Sequence, residues 1–194
     1  GDAQRQLYGV SHAPATSLFS PQAIVLCPPL AQEHTHTQWT LRRLATNLAE
    51  LGFHCLRFDY YGSGDSAGNS EAGNTEQWVE DILLAVQEIK DISACVKVSL
   101  IGLRYGAILA ALASKKIVIE HLLFWDPIIE GKQYIEDLKA LTIKQNQQFE
   151  LAAYNLQTKD SAYIELSGFT YAKEKVESIC ASSLKHALTE HSPP

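Results

Sequence analysis

The sequence lacks several features that would point directly to a function. It contains no methionine in 194 residues, although a chain of this size normally has several. We therefore expect that methionines of the natural protein are missing from the sequence as written, which would make the natural chain slightly longer. No apolar run reaches the roughly 18 residues that a membrane span requires, and the first residues lack the charged-then-apolar pattern of a secretory signal. With a net charge of −6 and no basic face, the chain is not expected to bind nucleic acid.

The cysteines are few and widely separated. Cys27, Cys55, Cys95 and Cys180 show no CxxC spacing. The first three fall inside or beside apolar runs, where a thiol usually behaves as a small buried hydrophobic group. We therefore expect reduced thiols and a cytoplasmic protein rather than a disulfide framework. We expect no metal and no organic cofactor.

The chain alternates between β-rich apolar runs and helical patterns, which is typical of βαβ units around a parallel sheet. The predicted strands are residues 23–27, 54–59, 96–101 and 119–125. The predicted helices between them are residues 40–51, 75–91 and 107–113. We expect an α/β fold with three α/β/α layers and a mainly parallel sheet.

The remaining segments give weaker patterns. Residues 131–156 read as a long polar helix or helix pair, followed by a hairpin at 163–171 and a helix at 172–188. The long segment is either a cap over the sheet edge or a plain surface helix pair; as a cap it would present Tyr134, Phe149 and Tyr154 to the pocket. Upstream, residues 6–10 could form an antiparallel edge hairpin with the stretch before Ala23. We predict one domain over residues 1–194, with the core in 1–130 and a cap-like or C-terminal segment in 131–194.

Three motifs follow predicted strands in a suggestive order: Pro28-Pro29-Leu30, then the loop from Asp59 to Ser66, then Gly102-Leu103-Arg104-Tyr105-Gly106. Together they resemble the oxyanion loop, the D-x-x-G-x-G-x-S loop and the G-x-S-x-G nucleophile elbow of α/β hydrolases. With Trp125-Asp126-Pro127 and Gly131-Lys132-Gln133-Tyr134, the chain resembles bacterial exosortase-associated and serine-aminopeptidase-like hydrolases. The resemblance covers residues 20–130 well and implies an α/β-hydrolase core that lacks its last strands.

The resemblance places Arg104 where the family carries its serine nucleophile. A serine there would attack a carbonyl, and the oxyanion would be met by the amide of Tyr105 and one near Pro29 and Leu30. Arg104 cannot attack, because its guanidinium stays protonated and has no nucleophilic lone pair. It can instead pair with a carboxylate or phosphate. Three roles stay open: an internal ion pair with Asp126 that plugs a dead site, an anion-binding site for a ligand, and an unforeseen catalytic role.

The other two members of a catalytic triad are not visible. In the family the acid and the histidine follow two later strands, and no such strands can be read here. His186 and His191 lie in a polar terminal segment, which favours solvated side chains over catalytic ones. The sequence as written is not that of a serine hydrolase.

Other candidate groups have simpler interpretations. Ser63 and Ser66 fit turn chemistry better than nucleophilic attack, and Cys27 has no obvious adjacent base and fits a buried thiol. His34 and His36 could bind a metal, but no third ligand stands at a recognised spacing, so surface histidines are favoured. Either histidine could still line the pocket mouth. The glycine-rich loop matches neither nucleotide-binding fingerprint.

Two functions follow from these patterns. The first is a hydrolase-fold enzyme with an unusual elbow that acts on a small acyl, ester or thioester compound. The second is a catalytically inactive relative that binds a small anionic ligand or a protein partner, which could be a second copy of the chain. In both, the site is the same; its expected residues are Arg104, Asp126, Pro29, Leu30, Tyr105, His34 and Asp59.

Overall fold

The computed structural model describes residues 6–14, 21–71, 73–148 and 162–189. The strands within these ranges are β1 (Gly9–His12), β2 (Gln22–Cys27), β3 (His54–Phe58), β4 (Lys97–Leu103), β5 (Leu122–Trp125), β6 (Tyr163–Leu166) and β7 (Phe169–Ala172). The helices are α1 (Ala31–Glu50), α2 (Thr75–Ser93), α3 (Gly106–Ser114), α4 (Gly131–Gln148), α5 (Lys173–Cys180) and α6 (Leu184–Thr189). Phe149, Tyr154 and His191 lie outside the described residues.

The main sheet has five strands in the order β1-β3-β2-β4-β5. The strands β3, β2, β4 and β5 run parallel, and β1 pairs antiparallel with β3 at one edge. Strands β6 and β7 form a separate antiparallel hairpin. The α/β fold with a mainly parallel sheet, predicted from the sequence, is confirmed.

Alternation along each strand divides the core between the two faces of the sheet. On β2, Val25 and Cys27 belong to the larger cluster with α2 and α3, whereas Ile24 and Leu26 pack with α1. This is the period of two that a strand imposes on its side chains. Helices therefore cover both faces, which gives the three α/β/α layers.

Helix α1 begins nine residues earlier than the periodicity of the sequence predicts, at Ala31 rather than near residue 40. The segment 31–40 is polar and has one buried side chain in its first turns, that of His34. A single polar residue gives no apolar stripe, so the pattern method detects the helix only where Leu41 and Ala45 become buried. His34 and Glu33 consequently lie on a helix and not on an extended loop.

Strand β1 is an antiparallel edge strand whose partner is β3. Residues 15–20, which hold most of the stretch expected to form a hairpin with it, lie outside the described residues.

A further expectation is wrong. The helix expected at 172–188 is divided into α5 and α6, because Ser182 and Leu184 make backbone hydrogen bonds with the segment that leads into α4. At this contact a side chain on Gly131 would collide with the carbonyl oxygen of Ile179.

No helix in the described part of the chain is long and apolar enough to cross a membrane.

Candidate functional site

Arg104 lies in a sharp turn between β4 and α3, and two glycines allow that turn. A Cβ on Gly102 would lie 2.5 Å from the Cα of Ala107, and one on Gly106 would collide with the carbonyl oxygen of Cys27. Arg104 itself has a φ of 54°, in the left-handed region that costs a non-glycine residue about 1–2 kcal/mol. This strained strand-to-helix turn, here called the elbow, has Arg104 at its centre, at the position where the resemblance predicted a nucleophile elbow.

Two carboxylates hold the Arg104 side chain. Its Nε donates to Glu33 Oε1 at 3.0 Å, and one of its terminal nitrogens donates to Asp126 Oδ2 at 3.1 Å. The side chains of Arg104 and Glu33 are 30% and 26% exposed, while that of Asp126 is 72% exposed. Burial alone would lower the pKa of Arg104, but Glu33 and Asp126 outweigh burial and hold this pKa above its usual value. The internal ion pair expected between Arg104 and Asp126 is present, and Glu33 is a partner that the sequence did not suggest.

Glu33 also accepts a hydrogen bond from helix α4. The hydroxyl of Tyr134 on α4 donates to Glu33 Oε2 at 3.3 Å. The Tyr134 ring is buried and stacks on Tyr105, with ring centroids 5.7 Å apart. Burial, and then the nearby Tyr171 and Glu33, raise the pKa of Tyr134 well above its usual value. The phenol therefore stays protonated and remains a donor to the carboxylate.

Tyr105, Pro29 and Leu30, which were expected at an oxyanion hole, differ in whether they can donate an amide hydrogen there. The Tyr105 side chain points into the core, where its hydroxyl lies 2.9 Å from both Thr75 Oγ1 and Ser182 Oγ, and burial raises its pKa to about 12. The Tyr105 amide precedes α3, where a helix provides no acceptor for it. Pro29 is buried and has no amide hydrogen to donate, so an amide from this loop would have to come from Leu30 or beyond.

His34 and Asp59 form a second cluster. His34 Nε2 lies 2.9 Å from Asp59 Oδ1, and the His34 side chain is 7% exposed. Asp59 Oδ2 accepts from the amide of Asp65, and the Asp59 carbonyl accepts from the Ser66 hydroxyl. The expectation of a surface histidine is wrong for His34, since burial requires a polar partner and Asp59 supplies it. His36, by contrast, is exposed, and Ser66 has the turn role that was predicted.

A cavity of about 230 Å³ lies beside this cluster. Its lining comes from the start of α1, the glycine-rich loop, the β6–β7 hairpin and α5: Leu30, Ala31, His34, Thr35, Gln38, Gly62, Ser63, Gly64, Gly68, Ser70, Phe169 and Lys175. Of the residues expected at the site, Leu30 and His34 line this cavity, and Asp59 is hydrogen-bonded to His34. Arg104 and Asp126 form the separate ion-pair cluster at the elbow.

The sequence interpretation missed Lys175 on α5. Its side chain is buried, and its ammonium donates to the Ser70 carbonyl at 2.7 Å. A signal for it exists, because Val176 and Ile179, one and four residues after Lys175, lie with it on the buried side of α5. A lysine within such a stripe is the one member that cannot be explained as core packing.

Neither a candidate metal centre nor a histidine bonded to the Arg104 cluster occurs among the described residues. No group of three or more His, Cys, Asp or Glu among them is placed to hold a metal ion. His186 is exposed on α6, in line with its predicted solvation. Among the described residues, no histidine hydrogen-bonds to Arg104 or Asp126; their partners are those given above.

Comparison with known proteins identifies the family. Residues 21–187 match the serine aminopeptidase S33 family, and the chain belongs to that family of α/β hydrolases. A 41-residue segment is 44% identical to the palmitoyl-protein thioesterase ABHD10 of Homo sapiens, but this segment is 21% of the chain and 13% of that relative.

Solved structures with the same fold come from several bacteria. Est1E of Butyrivibrio proteoclasticus, solved with ferulic acid bound, has a TM-score of 0.64 at 18% identity, over 94% of this chain and 70% of Est1E. A candidate hydrolase from Agrobacterium vitis S4 has a TM-score of 0.61 at 21% identity, over 92% of this chain and 67% of its own. At these identities the similarity establishes the fold alone.

Proposed function

We propose that this chain is a non-hydrolytic member of its family that binds a small anionic ligand beside the elbow. The observation that carries this proposal is the pairing of Arg104 with Glu33 and Asp126. The elbow position, which would hold the nucleophile, is filled by a cation whose partners are carboxylates of the chain itself.

The chemistry of acyl transfer supports this proposal. A serine-type hydrolase needs a nucleophile, a base that takes its proton and a group that orients the base. The protonated guanidinium of Arg104 cannot serve as nucleophile. Cys27, a candidate nucleophile whose carbonyl lies beside Gly106 of this turn, is fully buried. Burial raises the pKa of its thiol far above the usual value, so it is not a thiolate at neutral pH.

Charge at the elbow directs a ligand away from Arg104. One guanidinium and two carboxylates leave this cluster with one negative charge in excess. An incoming anion would have to displace Glu33 or Asp126 to reach the arginine. The neighbouring cavity, which no carboxylate among the described residues lines, is the more favourable place for an anion.

A second candidate is hydrolysis of a small acyl, ester or thioester compound by a route through Arg104. Family membership and the short match to a thioesterase favour it. In that case Arg104 would hold an oxyanion or a carboxylate of the substrate, with Leu30 and Tyr105 supplying amides.

In the other version of the inactive-relative hypothesis, the chain binds a protein partner rather than a small anion. The edge strand β5 exposes Leu123 and Trp125, which are 48% and 42% exposed. Among the described strands β5 pairs only with β4, and such an edge with exposed apolar side chains is a surface on which another chain, including a second copy, can pair. We place the protein in the cytoplasm, since Cys27, Cys55, Cys95 and Cys180 form no disulfide among the described residues.

Turnover of short and medium acyl esters and thioesters separates the first two candidates. We expect the wild-type rate to equal that of Arg104→Ala within about twofold, with both close to the uncatalysed rate, because no group at the elbow can attack. Arg104→Ser should also be inactive, since the base is missing. Lys116→Ala, at an exposed lysine paired with Glu80, is the matched control. Turnover well above the uncatalysed rate that falls in Arg104→Ala but not in the control would contradict the proposal.

A further inference from the structure

We propose that Lys175 is the charged group that holds the ligand of the cavity, and that this ligand is a small monocarboxylate. The inference rests on the proposed ligand-binding function and names its anchoring residue and its ligand class. It follows from the surroundings of Lys175, from the polar groups of the glycine-rich loop and from the size of the cavity.

Lys175 is buried without a counter-charge. Its residue is 7% exposed, and the oxygen that its ammonium contacts is the neutral carbonyl of Ser70. The ring centroids of Trp78 and Tyr171 lie 5.2 and 4.7 Å from the Lys175 Nζ. Among the described residues no carboxylate forms an ion pair with Lys175, whereas Lys97 and Lys116 on the surface each have one.

Such an arrangement is unfavourable unless an anion completes it. Buried ammonium groups in proteins are normally paired, because the lost hydration costs several kcal/mol per ion. The two ring faces compensate part of that loss through cation–π contacts. An ammonium has three N–H donors, and the Ser70 carbonyl accepts from one of them. A carboxylate in the cavity would supply both the missing charge and a further acceptor.

The glycine-rich loop argues against a phosphate. Its amides at Gly62, Ser63 and Asp65 already donate to oxygens within the loop region, namely the carbonyls of Ala67 and Tyr60 and the Asp59 carboxylate. Phosphate sites built on such loops depend on free amides and on several positive donors. Here one lysine provides the charge, which suits a single carboxylate.

The size and lining of the cavity restrict the rest of the ligand. Its volume of about 230 Å³ is below the range of roughly 300–1,000 Å³ found for drug-sized ligands. Leu30 and Phe169 offer apolar surface, while Gln38 and Ser63 offer polar groups. A short aliphatic or single-ring monocarboxylate fits these limits.

Burial lowers the pKa of Lys175 to about 8. This value still leaves about nine tenths of the amine protonated near neutral pH. The charge needed to hold a carboxylate is therefore present under ordinary conditions.

Isothermal titration calorimetry with two matched pairs of probes, butyrate with butyramide and benzoate with benzamide, tests this assignment near neutral pH and at low salt. Each amide has nearly the shape of its carboxylate but no charge. We expect at least one carboxylate to bind wild-type protein roughly tenfold or more tightly than its amide, because a buried charge pair is worth this much. Lys175→Met should lose that difference, Lys175→Arg should keep part of it, and Lys116→Met should be unchanged.

The possible results are distinct. Equal binding of carboxylate and amide to wild-type protein, or no binding of either carboxylate, overturns the assignment without reference to any variant. Equal carboxylate binding by wild-type protein and a folded Lys175→Met variant removes the role of Lys175 but leaves the anion site of the proposed function. Failure of the proposed function would instead be seen in the ester assay, as turnover that depends on Arg104.

Discussion

The backbone at the elbow predicts that Arg104→Gly is more stable than Arg104→Ala, the reverse of the usual order. Both substitutions remove the same ion pairs with Glu33 and Asp126. They differ in the backbone, because the φ of 54° at Arg104 is strained for alanine and unstrained for glycine.

The magnitudes can be worked out from the two contributions. The Arg104–Glu33 pair is about one-quarter to one-third exposed on each side, and the pair with the exposed Asp126 adds little; together they contribute about 1–2 kcal/mol. The left-handed conformation costs alanine about 1–2 kcal/mol. Glycine avoids this cost but loses roughly 0.4–1 kcal/mol to the entropy of its unfolded chain. Arg104→Gly should therefore be more stable than Arg104→Ala by roughly 1 kcal/mol.

Urea unfolding followed by circular dichroism measures this difference, provided that the two variants share one m-value. Two alanines calibrate it. Ala94, with a φ of 56° at the end of α2, should gain stability on substitution by glycine, whereas the exposed Ala140 within α4 should lose about 1 kcal/mol. If Arg104→Ala equals or exceeds Arg104→Gly while both calibrations behave as expected, the strained elbow geometry is refuted.

Two further predictions concern buried titratable groups. The pKa of Lys175 is about 8 in the folded protein against a usual 10.5, so between these pH values the unfolded chain binds more protons and stability rises with pH. As pH rises from about 8 to 10.5, the free energy of unfolding of wild-type protein should therefore increase relative to that of Lys175→Met by up to about 3 kcal/mol. His34, Asp59 and Tyr171 are present in both proteins, so their contributions cancel in the difference. A difference that does not change with pH in urea titrations would contradict this. A thiol reagent should label at most one cysteine quickly in the native protein, the half-buried Cys180, because burial excludes the reagent from the other three and raises the pKa of Cys27 and Cys55; two or more fast thiols would refute it.

The sequence was sufficient for the sheet and its covering helices because those elements are made of apolar side chains at regular spacing. On α2, Trp78, Ile82, Val86 and Ile89 recur at helical spacing in the sequence, and all are buried. Strand β2 is a continuous apolar run, as a strand covered on both faces must be. Where burial is achieved by hydrophobic residues, periodicity detects it.

The candidate site was predicted less completely because its decisive contacts join polar residues that are distant in sequence. Glu33 and Arg104 are 71 residues apart, and Lys175 and Ser70 are 105 apart. No local pattern specifies such pairs, and the polar start of α1 gave no apolar stripe to reveal that it is helical. The pair between Arg104 and Asp126 could be predicted, since both residues end neighbouring parallel strands and therefore meet at one edge of the sheet.

Because α1 begins at Ala31, its first turn contacts Arg104 on one side and lines the cavity beside Lys175 on the other. Among the described residues the charge of Arg104 is compensated by carboxylates, and that of Lys175 is not. Consecutive residues on a helix point about 100° apart, so Glu33 and His34 reach different neighbours from the same turn. Glu33 reaches the elbow and compensates Arg104, while His34 reaches Asp59 and forms one wall of the cavity. The first turn of α1 thus lies between Arg104, whose charge Glu33 and Asp126 compensate, and the cavity beside Lys175, which forms no ion pair within the described residues. If an anion is bound at this edge, the cation without an internal partner is the one that must hold it, because displacing Glu33 from Arg104 would leave a half-buried carboxylate without its charge partner.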